Sequence, residues 1–305
     1  MQPMRGIGLK LASVLVFIVM QSMIKATAGH VPPGEAVFFR SVFAIPVIFA
    51  WLAMQGLLSE GVRVQAPLSH VWRGLMGTTA MGLGFAALAY LPLPEVTAIG
   101  YASPLLVVIF AAMFLGEVVR AFRIACVVLG LVGVTIVLEP RLTVLDATSA
   151  TAAFGVMLVL AGAVFSALAQ VFVRKLVLTE NTSAIVFWFS VTSTALSLLT
   201  IPFGWAWPQG WDWPLLVGAG LLGGAGQILL TSSYRHADAS LIAPFEYASM
   251  LFSLLIGYFI FAEVPTMTML AGAVLVILAG CLIIWREARL GLKREAARPA
   301  LTPQG

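Results

Sequence analysis

The sequence predicts an all-α polytopic membrane protein: ten transmembrane helices arranged as two inverted five-helix repeats. Three observations carry that prediction. The 305 residues are 61% hydrophobic and only 10% charged, whereas a soluble domain carries about 25% charged residues to cover its water-facing surface. Many apolar runs reach the ~20 residues that cross a bilayer as a helix. The stretch Tyr101-Ala102-Ser103, an apolar run and Glu117-Val118 returns without a gap as Tyr247-Ala248-Ser249, an apolar run and Glu263-Val264. In the same register Gly74 falls on Gly220, Gly77 on Gly223, and Val128-Leu129 on Val274-Leu275. A repeat of that length is one structural unit used twice.

The first span is expected over Ile7–Thr27. Arg5, Lys10 and the Ala26-Thr27-Ala28 end imitate a cleavable signal, but the segment has an echo. Gln21 and Lys25 match Gln170 and Arg174, Val37-Phe38 matches Val186-Phe187, and Ser41-Val42 matches Ser190-Val191. It is therefore read as a retained helix. The breaker Val31-Pro32-Pro33-Gly34 precedes the second span, Glu35–Leu57. Spans three, Val71–Tyr90, and four, Glu95–Leu115, are joined only by Leu91-Pro92-Leu93-Pro94 and form a tight hairpin. Span five is Ala121–Leu138. The polar link Glu139–Ser149 divides the chain into a first repeat, 1–145, and a second, 146–288. Spans six to ten are Ala152–Val173, Ser183–Phe203, Trp213–Ser233, Ala239–Phe261 and Met267–Trp285. The basic end of the chain, residues 289–305 above all, reads as a disordered cytoplasmic tail.

With the N-terminus in the cytoplasm, all but Lys25, Arg40 and Arg141 of the 17 basic residues fall on the cytoplasmic side. That is a positive-inside pattern with both termini inside. The net charge of +4 belongs to this pattern and does not point to nucleic acid. Cys126 and Cys281 sit in apolar runs with no ligand partner at metal spacing, so neither disulfide, metal nor cofactor is expected. An odd number of spans per repeat forces the second copy to enter from the opposite face. Inverted repeats of this kind are the architecture of carriers that open alternately to each side. A membrane-embedded enzyme would need a nucleophile, metal or acid/base set that His30, His70 and His236, in separate loops, do not build. A channel would need a filter ring and usually an oligomer, whereas one chain here can hold the whole pathway.

The two halves, the helix-end Glu117 and Glu263, Ala243-Pro244-Phe245-Glu246-Tyr247, Gly130-Leu131-Val132-Gly133 and the stretch from Gly272 to Gly280 resemble the drug/metabolite transporter superfamily. The resemblance is to its EamA-type members, and within them to YddG-type amino-acid exporters. It implies a bacterial inner-membrane exporter of amino acids, aromatic ones included, and of related small metabolites. Some relatives import S-adenosylmethionine or other solutes, and that alternative stays open, as does the choice between secondary active and facilitative transport. By resemblance, Glu117 and Glu263 maintain the fold or a gate.

The candidate binding residues follow from depth and repeat position. Glu246 lies about two turns into span nine, where a lone acid is costly unless it faces water or protein. It could hold a substrate amine or carry a proton. Tyr101 and Tyr247 are repeat mates at the expected interface, and their hydroxyls suit a zwitterionic or aromatic solute. Ser103 and Ser249 are mates as well, although a helical serine commonly bonds its own backbone. Gln227, with Met81 as its mate, lies near mid-membrane and needs partners for its amide. Pro104 and Pro244 are expected to kink spans four and nine as hinges or static bends. Gln21, Gln170, Lys25 and Arg174 read as gating or anchoring groups. Glu35 and Arg40 could pair at the start of span two. Trp205, Trp207, Trp211 and Trp213 read as an interfacial belt, and Gly218–Gly226 as a close helix contact.

Overall fold

In the computed structural model the described residues are 3–56, 61–115, 125, 128–130, 132–133, 135–136, 147–177, 179–236, 245–246 and 248–296. They form α1 (Pro3–Thr27), α2 (Pro33–Val42), α3 (Ala44–Gln55), α4 (Pro67–Ala87), α5 (Leu93–Gly100) and α6 (Ala102–Leu115). The described residues between 125 and 136 are helical. The second half adds α7 (Ala147–Leu176), α8 (Thr182–Leu198), a single turn at Ile201–Phe203, α9 (Asp212–His236), α10 (Ala248–Phe261) and α11 (Met267–Ala296). Proline opens α2, α4 and α5, where its missing N–H has no helical partner to lose. Gly56, at φ 69, closes α3 in the left-handed cap conformation.

Two expected spans are each broken once, for the same reason. A proline inside a helix deprives the carbonyl four residues earlier of its N–H. Pro104 frees Gly100, and the helix interrupts at Tyr101, between α5 and α6. Pro46 frees Val42, and the helix interrupts at Phe43, between α2 and α3. The first kink is expected from the sequence; the second is an addition of the structure. Pro244 lies outside the described residues. The helices Met4–Thr27, Ala150–Leu176 and Asp212–His236, and the broken pair Pro33–Gln55, are long and apolar enough to cross a membrane. Leu15, Phe49, Met113, Phe114, Met157, Leu251 and Phe259 are exposed around them, an apolar coat suited to lipid.

The contacts show the inversion directly. At one end of the bundle Lys25, near the end of α1, meets the carbonyls of Leu88 and Leu91 that follow α4. Gly155, near the start of α7, abuts Tyr90 and Leu91 there. At the other end Glu180, just after α7, accepts from the backbone N–H groups of Gln65 and Ala66 that precede α4. The first helix of one repeat therefore ends where the first helix of the other begins. Packing follows the same exchange: α1 lies on α9, its counterpart α7 lies on α4, and the mates α2 and α8 meet each other.

The glycine row of α9 makes this contact close, as the sequence anticipated. A Cβ on Gly220 would lie 2.3 Å from Phe43 Cβ, and one on Gly224 would lie 2.9 Å from the Ala44 carbonyl oxygen. On another face, Gly218 and Gly226 meet Met23 and Phe17 of α1. The break between α2 and α3 thus sits directly on this row.

Two corrections concern charge. Lys10, Arg40 and Arg73, read as charges near the two membrane faces, are buried at 3%, 2% and 6% exposure within α1, α2 and α4. Glu35 and Arg40 do not pair: Glu35 Oε2 accepts the Ala206 N–H at 2.9 Å, and Arg40 Nη2 donates to the Gly223 carbonyl at 3.3 Å. The last helix, α11, continues to Ala296. Residues 137–146, which contain most of the link between the halves, lie outside the described set.

Gly224→Ala is expected to destabilise the fold by about 1–3 kcal/mol, the usual penalty for forcing a methyl into a close-packed contact. Gly84→Ala, whose Cβ would meet nothing within 4 Å, leaves stability unchanged or slightly raised. Thermal unfolding followed by size-exclusion fluorescence in detergent checks both.

Candidate functional site

The broken span four places its break at the interface between halves. Tyr101 is buried at 3% exposure, and its hydroxyl lies 2.8 Å from Ser249 Oγ on α10. This contact crosses the repeat, joining the tyrosine of one Tyr-Ala-Ser copy to the serine of the other. Ser103 accepts a hydrogen bond from Gln170 Nε2 of α7 at 3.3 Å. Several helical serines here, Ser13, Ser22, Ser190 and Ser253 among them, bond a carbonyl three or four residues back. Ser103 and Ser249 instead reach across to other helices. Gln227 is buried at 6% exposure in α9, and Met81 packs against the main hydrophobic cluster that also contains Tyr101 and Met250. Tyr247 and Glu117 lie outside the described residues.

Two carboxylates join helices through ion pairs. Glu246, in the turn before α10, pairs with Lys10 of α1. The acid read as solitary therefore has a buried cation supplied by the opposite repeat. The lysine stands inside a 24-residue apolar helix, and that placement was the available signal. Glu263, just after α10, pairs with Lys25 at 2.9 Å, and its Oε2 accepts the Leu93 N–H at 3.0 Å. Lys25 also donates to Leu91 O at 2.9 Å. One carboxylate and one ammonium thus tie α1, the α4–α5 hairpin and the end of α10 together. The neighbouring Ala262 has φ 54, a left-handed conformation that is uncommon for alanine, and it aims Glu263 back at the bundle.

A third cluster was missed by the sequence reading. Arg40 and Arg73 enter the bundle from opposite ends, each about two turns along its helix. They meet the same ring: the Arg73 guanidinium carbon lies 4.0 Å from the Phe189 ring centroid and that of Arg40 5.4 Å. In the register that aligns Ser41 with Ser190, Phe189 is the repeat mate of Arg40. The mates Gly77 and Gly223 make room for the two side chains. A Cβ at Gly77 would lie 2.1 Å from Arg73 Nη1, and one at Gly223 would lie 2.7 Å from Arg40 Nε.

A cavity of about 350 Å³ opens where α1 ends and α2 begins. Ile24, His30, Pro32, Phe85, Tyr90 and Phe154 are among its walls. It lies at the Lys25–Glu263 end of the bundle, and none of the residues read as binding groups lines it. The tryptophans expected to form a belt divide. Trp207 and Trp211 are exposed, whereas Trp205 and Trp213 pack on Phe38 and Phe39.

Comparison with known proteins gives the class. The EamA-like transporter family model matches residues 4–139 and 153–285, and the chain belongs to that family. A pseudopaline exporter, CntI, of Pseudomonas aeruginosa is 30% identical over 92% of this chain and 96% of its own length. An S-adenosylmethionine uptake transporter of Rickettsia felis is 26% identical, covering 92% of this chain and 93% of that protein. A riboflavin transporter of Vibrio cholerae is 27% identical over 97% and 98% of the two chains. A solved crystal structure matches 93% of this chain and 98% of its own with a TM-score of 0.69 at 23% identity, a likeness of fold. The protein is thus a multi-pass membrane transporter of a small solute.

Breaking the Lys10–Glu246 pair on one side leaves a charge without its partner, which is worse than removing both. Lys10→Met and Glu246→Leu are each expected to lower the melting temperature more than the double variant does. A double-mutant cycle of melting temperatures in detergent reads the coupling.

Proposed function

We propose that the protein is a bacterial inner-membrane carrier that exports amino acids or related small metabolites by alternating access, with both termini in the cytoplasm. The observation that carries this reading is the exchange of contacts between inverted halves, centred on the Tyr101–Ser249 hydroxyl pair. An interface made from the same segment of both repeats, polar and buried, is where a solute can meet both halves at once. The halves correspond to residues 1–145 and 146–288, and one chain suffices for the pathway.

In this reading Tyr101, Ser103, Ser249, Tyr247, Gln227 and Met81 line the route, and Glu246 offers a carboxylate to a substrate amine. An arriving amine would compete with Lys10 for that carboxylate, so binding of solute and loosening of an inter-repeat contact become one event. Pro104 and Pro244 supply the bends about which the halves rock. The Lys25–Glu263 tie closes one end and must open when that end admits solute. Glu117 is its sequence counterpart for the other end. The same geometry would serve uptake of a different metabolite, and the relatives named for S-adenosylmethionine uptake and riboflavin support that second reading.

Flux of a panel of amino acids into proteoliposomes tests the proposal. At least one amino acid is expected to move faster than in protein-free vesicles. Glu246→Gln is expected to reduce that flux at least tenfold. Movement of S-adenosylmethionine or riboflavin with none of the amino acids would overturn the substrate class.

A further inference from the structure

We propose that Arg40 and Arg73 form an oxyanion-binding site at the centre of the inverted-repeat interface, and that its ligand is the carboxylate of the transported solute. This rests on the transporter reading above and adds to it a substrate class and two residues that reading does not use. Its basis is a set of unpaired nitrogens. Nε and Nη1 of Arg40, and Nε and Nη1 of Arg73, are all buried without a hydrogen-bond partner. The 3.3 Å bond from Arg40 Nη2 to Gly223 O offers a neutral and distant acceptor. Both arginines are more than nine-tenths buried, and both lie against one phenylalanine ring.

Physics makes this arrangement incomplete. A buried charge without a counter-charge is strongly unfavourable, and a guanidinium is not relieved by losing its proton. Two guanidinium groups beside one ring also repel each other. Contact with the ring quadrupole returns only a little of what is lost. The missing component is an anion, and the planar fork of arginine fits a planar, two-oxygen acceptor best. Gly77 and Gly223, equivalent positions in the two repeats, leave the space that these side chains fill. Both arginines belong to the first repeat and both lie against Phe189 of the second, so a carboxylate held by both would tie α2 to α4 at the seam with the second half.

The test measures thermal unfolding of the purified full chain in detergent. The probes are sodium benzoate, sodium succinate and the amino-acid panel, each against its amide, with sodium chloride and inorganic phosphate as further arms. At least one carboxylate is expected to raise the melting temperature by several degrees, its amide not at all. Arg40→Gln and Arg73→Gln are expected to abolish the rise, and Arg73→Lys to weaken binding at least tenfold. Without ligand, Arg73→Gln is expected to melt no lower than the wild type, because it removes an uncompensated charge. A merely structural arginine would give a large fall instead. The proposal is overturned if amides act like their acids, if the rise survives in both glutamine variants, or if phosphate alone stabilises. The acid-to-amide comparison on the wild type needs no variant to fold. Carboxylate binding without flux of any amino acid would sink the proposed transport and leave this site standing. Flux indifferent to Arg40→Gln and Arg73→Gln would do the reverse.

Discussion

Lipid cannot solvate a charge or an unpaired peptide group, and the structure is organised by that constraint. Lys10, Arg40 and Arg73 sit on transmembrane helices, and every one of them is turned inward, toward the other half of the molecule. Lys10 finds Glu246, and Lys25 near the bundle end finds Glu263. The outward faces carry residues such as Phe49, Met157 and Phe259. The polar groups thus collect along the seam between repeats, where they join the two halves.

Symmetry explains where the seam is, and its imperfections explain what it can do. Mated positions hold the frame: Gly77 and Gly223 make room, and Ser103 and Ser249 both reach to another helix. Unmatched positions hold the chemistry. Arg40 faces its own mate, Phe189, so the point nearest the pseudo-two-fold axis carries a cation from one half and an aromatic ring from the other. Glu246 is paired in register with Gly100. In the proposed carrier a symmetric frame would rock between two packings, and the unmatched side chains would orient the solute within it.

Much of this was legible in the sequence because its cause is periodic or local. The apolar runs, the inverted repeat, the kink at Pro104 and the close contact of Gly218–Gly226 all follow from patterns a reader can count. The kink at Pro46 follows from the same rule. Partner choice was not legible. Nothing local in Lys10 points to Glu246 far along the chain, and Arg40 and Arg73 look like charges near opposite membrane faces until the helices are packed. Buried charge is decided by which faces of distant helices meet, and no single segment encodes that.

The most direct measurement of the account places equivalent residues on the two sides of a membrane. His30, in the link after α1, and Thr179, in the link after α7, occupy the same repeat position, and both are exposed. Single cysteines at these sites, on a Cys126→Ser/Cys281→Ser background in sealed oriented vesicles, would be challenged with a membrane-impermeant thiol reagent. Inverted halves predict that the reagent labels one position from outside and the other only after the vesicles are opened. Labelling of both positions from the same side would mean that the two halves are not inverted, and the shared interface on which the transport pathway depends would not exist.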